Sequence, residues 1–111
     1  MRAYYYLLFI TLFSWSSLVV AQDDVIVLDV RTPVEYKSGH LEKSINLDFY
    51  AEDFEERIKK LDKNNRYLLY CRSGNRSSQV ERKMKELGFK KVENLGSLSQ
   101  ALSKTGYRLQ Y

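Results

Sequence analysis

From Val25 onward, short apolar runs alternate with stretches of helical spacing, and this alternation restricts the fold more than any other feature of the chain. VIVLDV (25–30) is apolar and rich in β-branched residues, the pattern of a strand buried on both faces, as in a parallel sheet. Thr32 followed by Pro33 and Glu35 reads as an N-cap opening a short helix that ends near Gly39. Residues 44–48 (SINLD) form a second strand. AEDFEERIKKL places Phe54, Ile58 and Leu61 at helical spacing, with acids early and lysines late as the helix dipole prefers. RYLLYC (66–71) is a third strand. SSQVERKMKELG puts Val80, Met84 and Leu87 on one face of a helix that begins near Ser77 and stops at Gly88, a C′ glycine. KVENL is a last short strand and SLSQALSK a last short helix, while YRLQY carries no pattern. Strands alternating with helices imply an α/β sandwich around a mostly parallel sheet, and 111 residues suffice for one small domain.

The first residues do not belong to that scheme. Arg2 precedes an apolar run from Tyr4 to Val20, and Val19 and Ala21 occupy the small-residue places of a cleavage site. The expectation is a cleaved signal peptide over residues 1–21 and a single domain over 22–111. The run is short of the about 20 apolar residues a membrane span needs and is broken by Ser and Thr, so stable membrane insertion is not expected after cleavage. An uncleaved anchor is the alternative. The implied location is periplasmic or secreted. An exported chain meets oxidising conditions, yet this one holds only Cys71, so no intrachain disulfide forms and the odd thiol is a candidate reactive group. The net charge of +4 is spread among acidic residues with no basic block interleaved with aromatics, which speaks against nucleic acid as a partner.

Cys71 falls at the carboxyl end of a predicted strand and directly before a helix, where open α/β sheets build their sites. A thiol must ionise to act as a nucleophile, and a helix N-terminus or nearby cations lower its pKa. Both features are expected here. The helix points free N–H groups back at the loop, Arg72 and Arg76 flank it with positive charge, and Gly74 permits a backbone nest for an anion. The plain alternative is a small buried hydrophobe at a strand end.

The segment CRSGNRS, residues 71–77, resembles the active-site loop of the rhodanese sulfurtransferases. VIVLDVRTPVEYKSGHLEKSINLD resembles the first signature of that family, an Asp-x-Arg segment followed by an acidic-aromatic pair, Gly-His and an apolar-Asn strand. LGFKKVENLGSL resembles its final segment. The overall pattern is most similar to the small periplasmic single-domain members. The resemblance implies a rhodanese-like α/β sandwich with a mostly parallel sheet of about four strands flanked by helices. Related folds that act on phosphate or arsenate carry five residues between Cys and Arg. Four lie between Cys71 and Arg76 here, a tighter cradle that the family associates with sulfur transfer. The sequence departs from the family at Gly96-Ser97, where Gly-Gly is usual, and at Glu42-Lys43-Ser44, where Pro-Gly-Ala is usual.

The resemblance also implies a two-step reaction. Cys71 takes a sulfur from a small anionic donor such as thiosulfate, releasing sulfite, and passes it to a nucleophilic acceptor, cyanide or a thiol. No cofactor and no metal are implied. Cys71 is the expected catalytic residue. Arg72, Ser73, Gly74, Asn75, Arg76 and Ser77 are expected to bind substrate, the arginines through charge-assisted hydrogen bonds and the backbone N–H groups as preorganised donors. Ser77 reads equally well as a plain N-cap. Asp29 and Arg31 are expected to support the site, either as a structural ion pair or with Arg31 near the pocket. His40, a lone histidine, is read as a structural hydrogen-bonding residue, and Tyr36, Phe49 and Tyr50 as core or pocket wall. Two alternatives stay open. One is a persulfide or thiol-redox protein with another sulfur donor, and the other a rhodanese-like binding module without turnover.

Overall fold

The structure, a computed structural model, describes residues 24–111; the expected leader, residues 1–21, lies outside them. In chain order the elements are β1 (Val25–Asp29), α1 (Pro33–Lys37), β2 (His40–Leu41), β3 (Ser44–Asn46), α2 (Phe54–Lys59), β4 (Arg66–Cys71), α3 (Asn75–Glu86), β5 (Val92–Ser97), α4 (Leu98–Thr105) and β6 (Leu109–Gln110). Four strands form an all-parallel sheet in the order β3-β1-β4-β5. β1 and β4 occupy its centre and are covered on both faces, which is why their sequences run apolar without alternation.

Side-chain alternation divides the core. Leu28, Val30, Tyr67 and Leu69 pack on one face with Phe54 and Ile58 of α2 and Val80 and Met84 of α3. Val27, Leu68 and Tyr70 pack on the other with Leu41, Leu95 and Ala101 of α4. The predicted α/β sandwich with a four-stranded, mostly parallel sheet is the fold observed.

Local chemistry fixes the element ends. Thr32 caps α1 through a reciprocal box: its hydroxyl accepts from the Glu35 N–H, and Glu35 Oε1 accepts from the Thr32 N–H. β3 ends at Asn46 rather than residue 48, because Asp48 Oδ1 accepts from the Tyr50 N–H at 2.9 Å and turns the chain. The tail without pattern forms β6, which pairs antiparallel with β2 through His40↔Gln110 and Leu41↔Leu109. His40 accordingly plays a structural part, with Nδ1 2.9 Å from the Tyr36 carbonyl and its ring stacked on Tyr36 at 3.7 Å.

A buried polar cluster crosses the second face. The Tyr70 hydroxyl donates to Asp29 Oδ2 at 2.7 Å and accepts from the Leu41 N–H at 2.9 Å. Arg31 grips the same carboxylate through Nη2 at 2.7 Å and Nε at 3.0 Å and donates to the Gly39 carbonyl at 2.7 Å. Burial pushes the Tyr70 phenol up to about 12, so it stays a neutral donor.

Candidate active site

Cys71 is the last residue of β4. Alternation with Tyr67 and Leu69 turns its side chain toward α3, and the residue is wholly buried. The loop from Arg72 to Gly74 then reverses the chain. Gly74 adopts a left-handed conformation (φ 94°), and a Cβ there would come 3.2 Å from the Gly96 Cα, so this position favours glycine on two counts. α3 starts immediately afterwards at Asn75, two residues earlier than the sequence pattern suggests. Gly74 is its N-cap residue and makes no side-chain cap bond. Ser77 is therefore not the N-cap but the third helical residue, buried, with its hydroxyl aimed back at the loop.

The sulfur is held by polar donors within an otherwise apolar surrounding. Cys71 Sγ accepts from the Gly74 N–H at 3.0 Å and from the Ser77 hydroxyl at 3.4 Å. Burial pushes the thiol up, but the Ser77 hydroxyl together with the N–H groups of Ser77, Ser73 and Gly74 outweighs it, leaving the pKa below its ordinary value. Stabilisation of the anion thus comes from hydrogen bonds at a helix start.

The arginines behave differently from expectation. Arg76 does not present a free guanidinium: Nη1 and Nη2 form a bidentate pair with Glu35 Oε1 and Oε2 at 2.7 and 2.9 Å. The hydrogen bonds from Arg76 hold the Glu35 carboxyl down at about 2, with Thr32 assisting against burial. Arg76 is raised in turn, chiefly by Glu35 and in smaller part by the Cys71 sulfur nearby. Its guanidinium also lies 5.7 Å from the ring centroid of Tyr50, a residue 66% exposed. Arg72 is exposed, and among the described residues it has no ion-pair partner.

Other expected residues divide in the same way. The Ser73 hydroxyl accepts from the Asn75 N–H at 3.4 Å, so only the backbone of Ser73 addresses the sulfur. The Asn75 side chain is exposed and faces Gln79. Asp29 and Arg31 form the structural ion pair on the opposite face of the sheet; they support β4 through Tyr70 and do not approach Cys71. Phe49 packs against the core that includes Cys71.

Two residues outside the expected set bear on the loop. Glu35, expected in the first turn of α1 and matching the acidic-aromatic pair of the first signature, holds Arg76. Asn94 of β5 accepts from the Ser77 hydroxyl at 2.7 Å and donates to the Gly74 carbonyl at 3.3 Å. The only sequence signal for it is a polar residue two places before Gly96.

Comparison with known proteins agrees with this architecture. The pattern of the Rhodanese-like domain family matches residues 16–102. The chain is 36% identical over 73 residues to the thiosulfate sulfurtransferase PspE of Escherichia coli (strain K12), covering 64% of this chain and 68% of that protein. It is 33% identical over 86 residues to the putative sulfur carrier protein YrkF of Bacillus subtilis (strain 168), covering 78% of this chain but only 45% of that longer protein. A solved structure described as a rhodanese with anions from E. coli superposes with a TM-score of 0.59 at 30% identity, over 69% of this chain and 91% of that one. A β4–loop–α3 unit that cradles one sulfur with backbone donors, on a sheet of this order, accompanies sequence similarity over most of the described chain: the protein belongs to the rhodanese-like domain family.

Proposed function

We propose that this protein is a sulfurtransferase that carries a sulfane sulfur on Cys71, with thiosulfate as donor and cyanide or a thiol as acceptor. The observation that carries the reading is the ring of donors on Cys71 Sγ, the Gly74 N–H at 3.0 Å and the Ser77 hydroxyl at 3.4 Å. Donors fixed in this way stabilise the attacking thiolate and, one atom further out, the anionic persulfide. The thiolate attacks the outer sulfur of thiosulfate. A new S–S bond forms to Cys71 while the old one breaks, and sulfite leaves with its electron pair. The acceptor then attacks the outer persulfide sulfur and the Cys71 thiolate departs, with no net redox change and no cofactor. Arg72 serves as the cation for the oxyanion end of the donor. Glu35 already engages Arg76, so Arg76 acts chiefly by fixing α3 against α1. Because the sulfur is covered, the loop rim must part to admit the donor. The apolar N-terminal run supports export to the periplasm or beyond, with residues 22–111 as the working domain.

A second reading is a donor of lower charge, such as an organic persulfide. It is favoured by the Glu35–Arg76 pair, which leaves Arg72 as the unpaired cation of the loop. The test is to incubate the protein with thiosulfate and weigh it. A gain of one sulfur atom, lost on adding cyanide and absent in Cys71→Ala, is expected. Equal turnover by wild type and Cys71→Ala overturns the assignment. Transfer from an organic persulfide but not from thiosulfate selects the second reading, and no transfer from either leaves a binding module.

A further inference from the structure

β5 does not run evenly beside β4. Leu69 pairs with Asn94 and Tyr70 with Gly96, so Leu95 is an extra residue and the strand bulges there. Bulges beside sites re-aim side chains, and Asn94 lies at the edge of this one. Its Oδ1 accepts from the Gly96 N–H at 2.9 Å across the bulge and from the Ser77 hydroxyl at 2.7 Å. Its Nδ2 donates to the Gly74 carbonyl at 3.3 Å, and its own N–H donates to Glu81 Oε2 at 2.8 Å. The partners fix the amide orientation. An N–H can only meet the oxygen and a carbonyl can only meet the nitrogen.

Ser77 has one proton and three acceptors around it: Asn94 Oδ1, the Gly74 carbonyl at 3.1 Å and Cys71 Sγ at 3.4 Å. Asn94 therefore competes with the sulfur for that proton at the shortest distance, while through its Nδ2 it holds the left-handed glycine whose N–H contacts the sulfur. We propose that Asn94 is a positioning residue for Cys71, holding the Gly74 peptides at the distance from which the Gly74 N–H stabilises a sulfur anion. The inference rests on the sulfurtransferase reading for its purpose but not for its measurement. The charged and titratable groups around the sulfur are Arg72 in the loop, Arg76 with Glu35 of α1 behind it, Glu81 of α3 behind Asn94, and Tyr50 over Arg76. Substituting Asn94 by alanine removes none of them.

The test is the pH profile of Cys71 alkylation by iodoacetamide in the folded full chain. Asn94→Ala is expected to move the midpoint upward and slow alkylation five- to tenfold at a pH below the wild-type midpoint. In a Ser77→Ala background the same change is expected to have a larger effect, because the Ser77 proton released by Asn94→Ala otherwise turns to the sulfur and offsets part of the loss. Should Asn94→Ala fail to fold, Asn94→Leu carries the test. It is uncharged and of similar size, and it loses the donor to Gly74, so its midpoint also rises. A midpoint unchanged or lowered in the folded variant, or effects that multiply independently of Ser77, would overturn the proposal. The mass gain from thiosulfate separates the two ideas. If wild type gains no sulfur while Asn94→Ala still raises the midpoint, only the function falls. If wild type gains sulfur and the midpoint does not move, only the role of Asn94 falls.

Discussion

Glu35→Gln isolates one interaction and gives it a pH signature. Glutamine preserves the capping box with Thr32, since it serves at the third helical position as glutamate does. What it removes is the charge of the bidentate pair with Arg76, whose atoms lie 2.7 and 2.9 Å apart, and one of that pair's two acceptor oxygens. The pair holds the Glu35 carboxyl at about 2 against an ordinary 4.5. At about 1.4 kcal/mol for each tenfold change in acidity, that difference corresponds to roughly 3 kcal/mol as an upper bound. The Glu35 side chain is 27% exposed, and solvent screening brings the expected cost of Glu35→Gln to about 1–2 kcal/mol near neutral pH. The sign follows from linkage. A carboxylate with a depressed folded-state pKa contributes fully above its unfolded value of 4.5, and the contribution is lost as pH falls toward about 2. Arg76 is raised to a value beyond any pH used and adds no pH dependence of its own. Urea unfolding of wild type and Glu35→Gln should therefore show a gap near pH 7 that shrinks to under half by about pH 3. A gap of the same size at both pH values would falsify the electrostatic account and assign the effect to packing.

Three further outcomes follow from contacts elsewhere. Arg72→Ala should raise the KM for thiosulfate several-fold and leave the urea midpoint unchanged, since Arg72 is exposed and unpaired; a destabilised variant with normal KM would contradict this. Tyr70→Phe strands the buried Leu41 N–H and removes one of the donors to the Asp29 carboxylate, and should cost about 1–3 kcal/mol in urea unfolding. Its Cys71 alkylation profile should match wild type, because the hydroxyl sits on the other face of the sheet. Gly96→Ala forces a side chain into positive φ and drives its Cβ against Gln100 Oε1. It should cost about 1–3 kcal/mol by thermal unfolding through strain and the loss of the α4 capping box.

The readability of this chain varied with the range of the interaction. β1 and β4 were legible because central parallel strands bury both faces and need apolar residues throughout. The start of α1 was legible because Thr32, Pro33 and Glu35 interact within one turn. Cys71 at a strand end before a helix was legible for the same reason. The start of α3 was misplaced because the left-handed Gly74 folds the chain back sooner than side-chain periodicity reveals. The pairing of Arg76 with Glu35 joins residues 41 positions apart, and nothing local in either segment announces it. Asn94 reaches the loop only because of a bulge in β5, a property of the ladder rather than of the residue. β6 is two residues long with both exposed, so it carries no hydrophobic pattern to find.

The donors to Cys71 lie next to it in the chain, but they are tied down from afar. Glu35 secures the helix start from α1 and Asn94 secures the glycine from β5, so the cradle closes only when α1 and the edge strand β5 are both in place. In the unfolded chain the same sulfur is an ordinary thiol. Its labelling rate is thus a built-in clock for maturation: a pulse of alkylating reagent during refolding dates the moment at which segments separated by most of the sequence lock together.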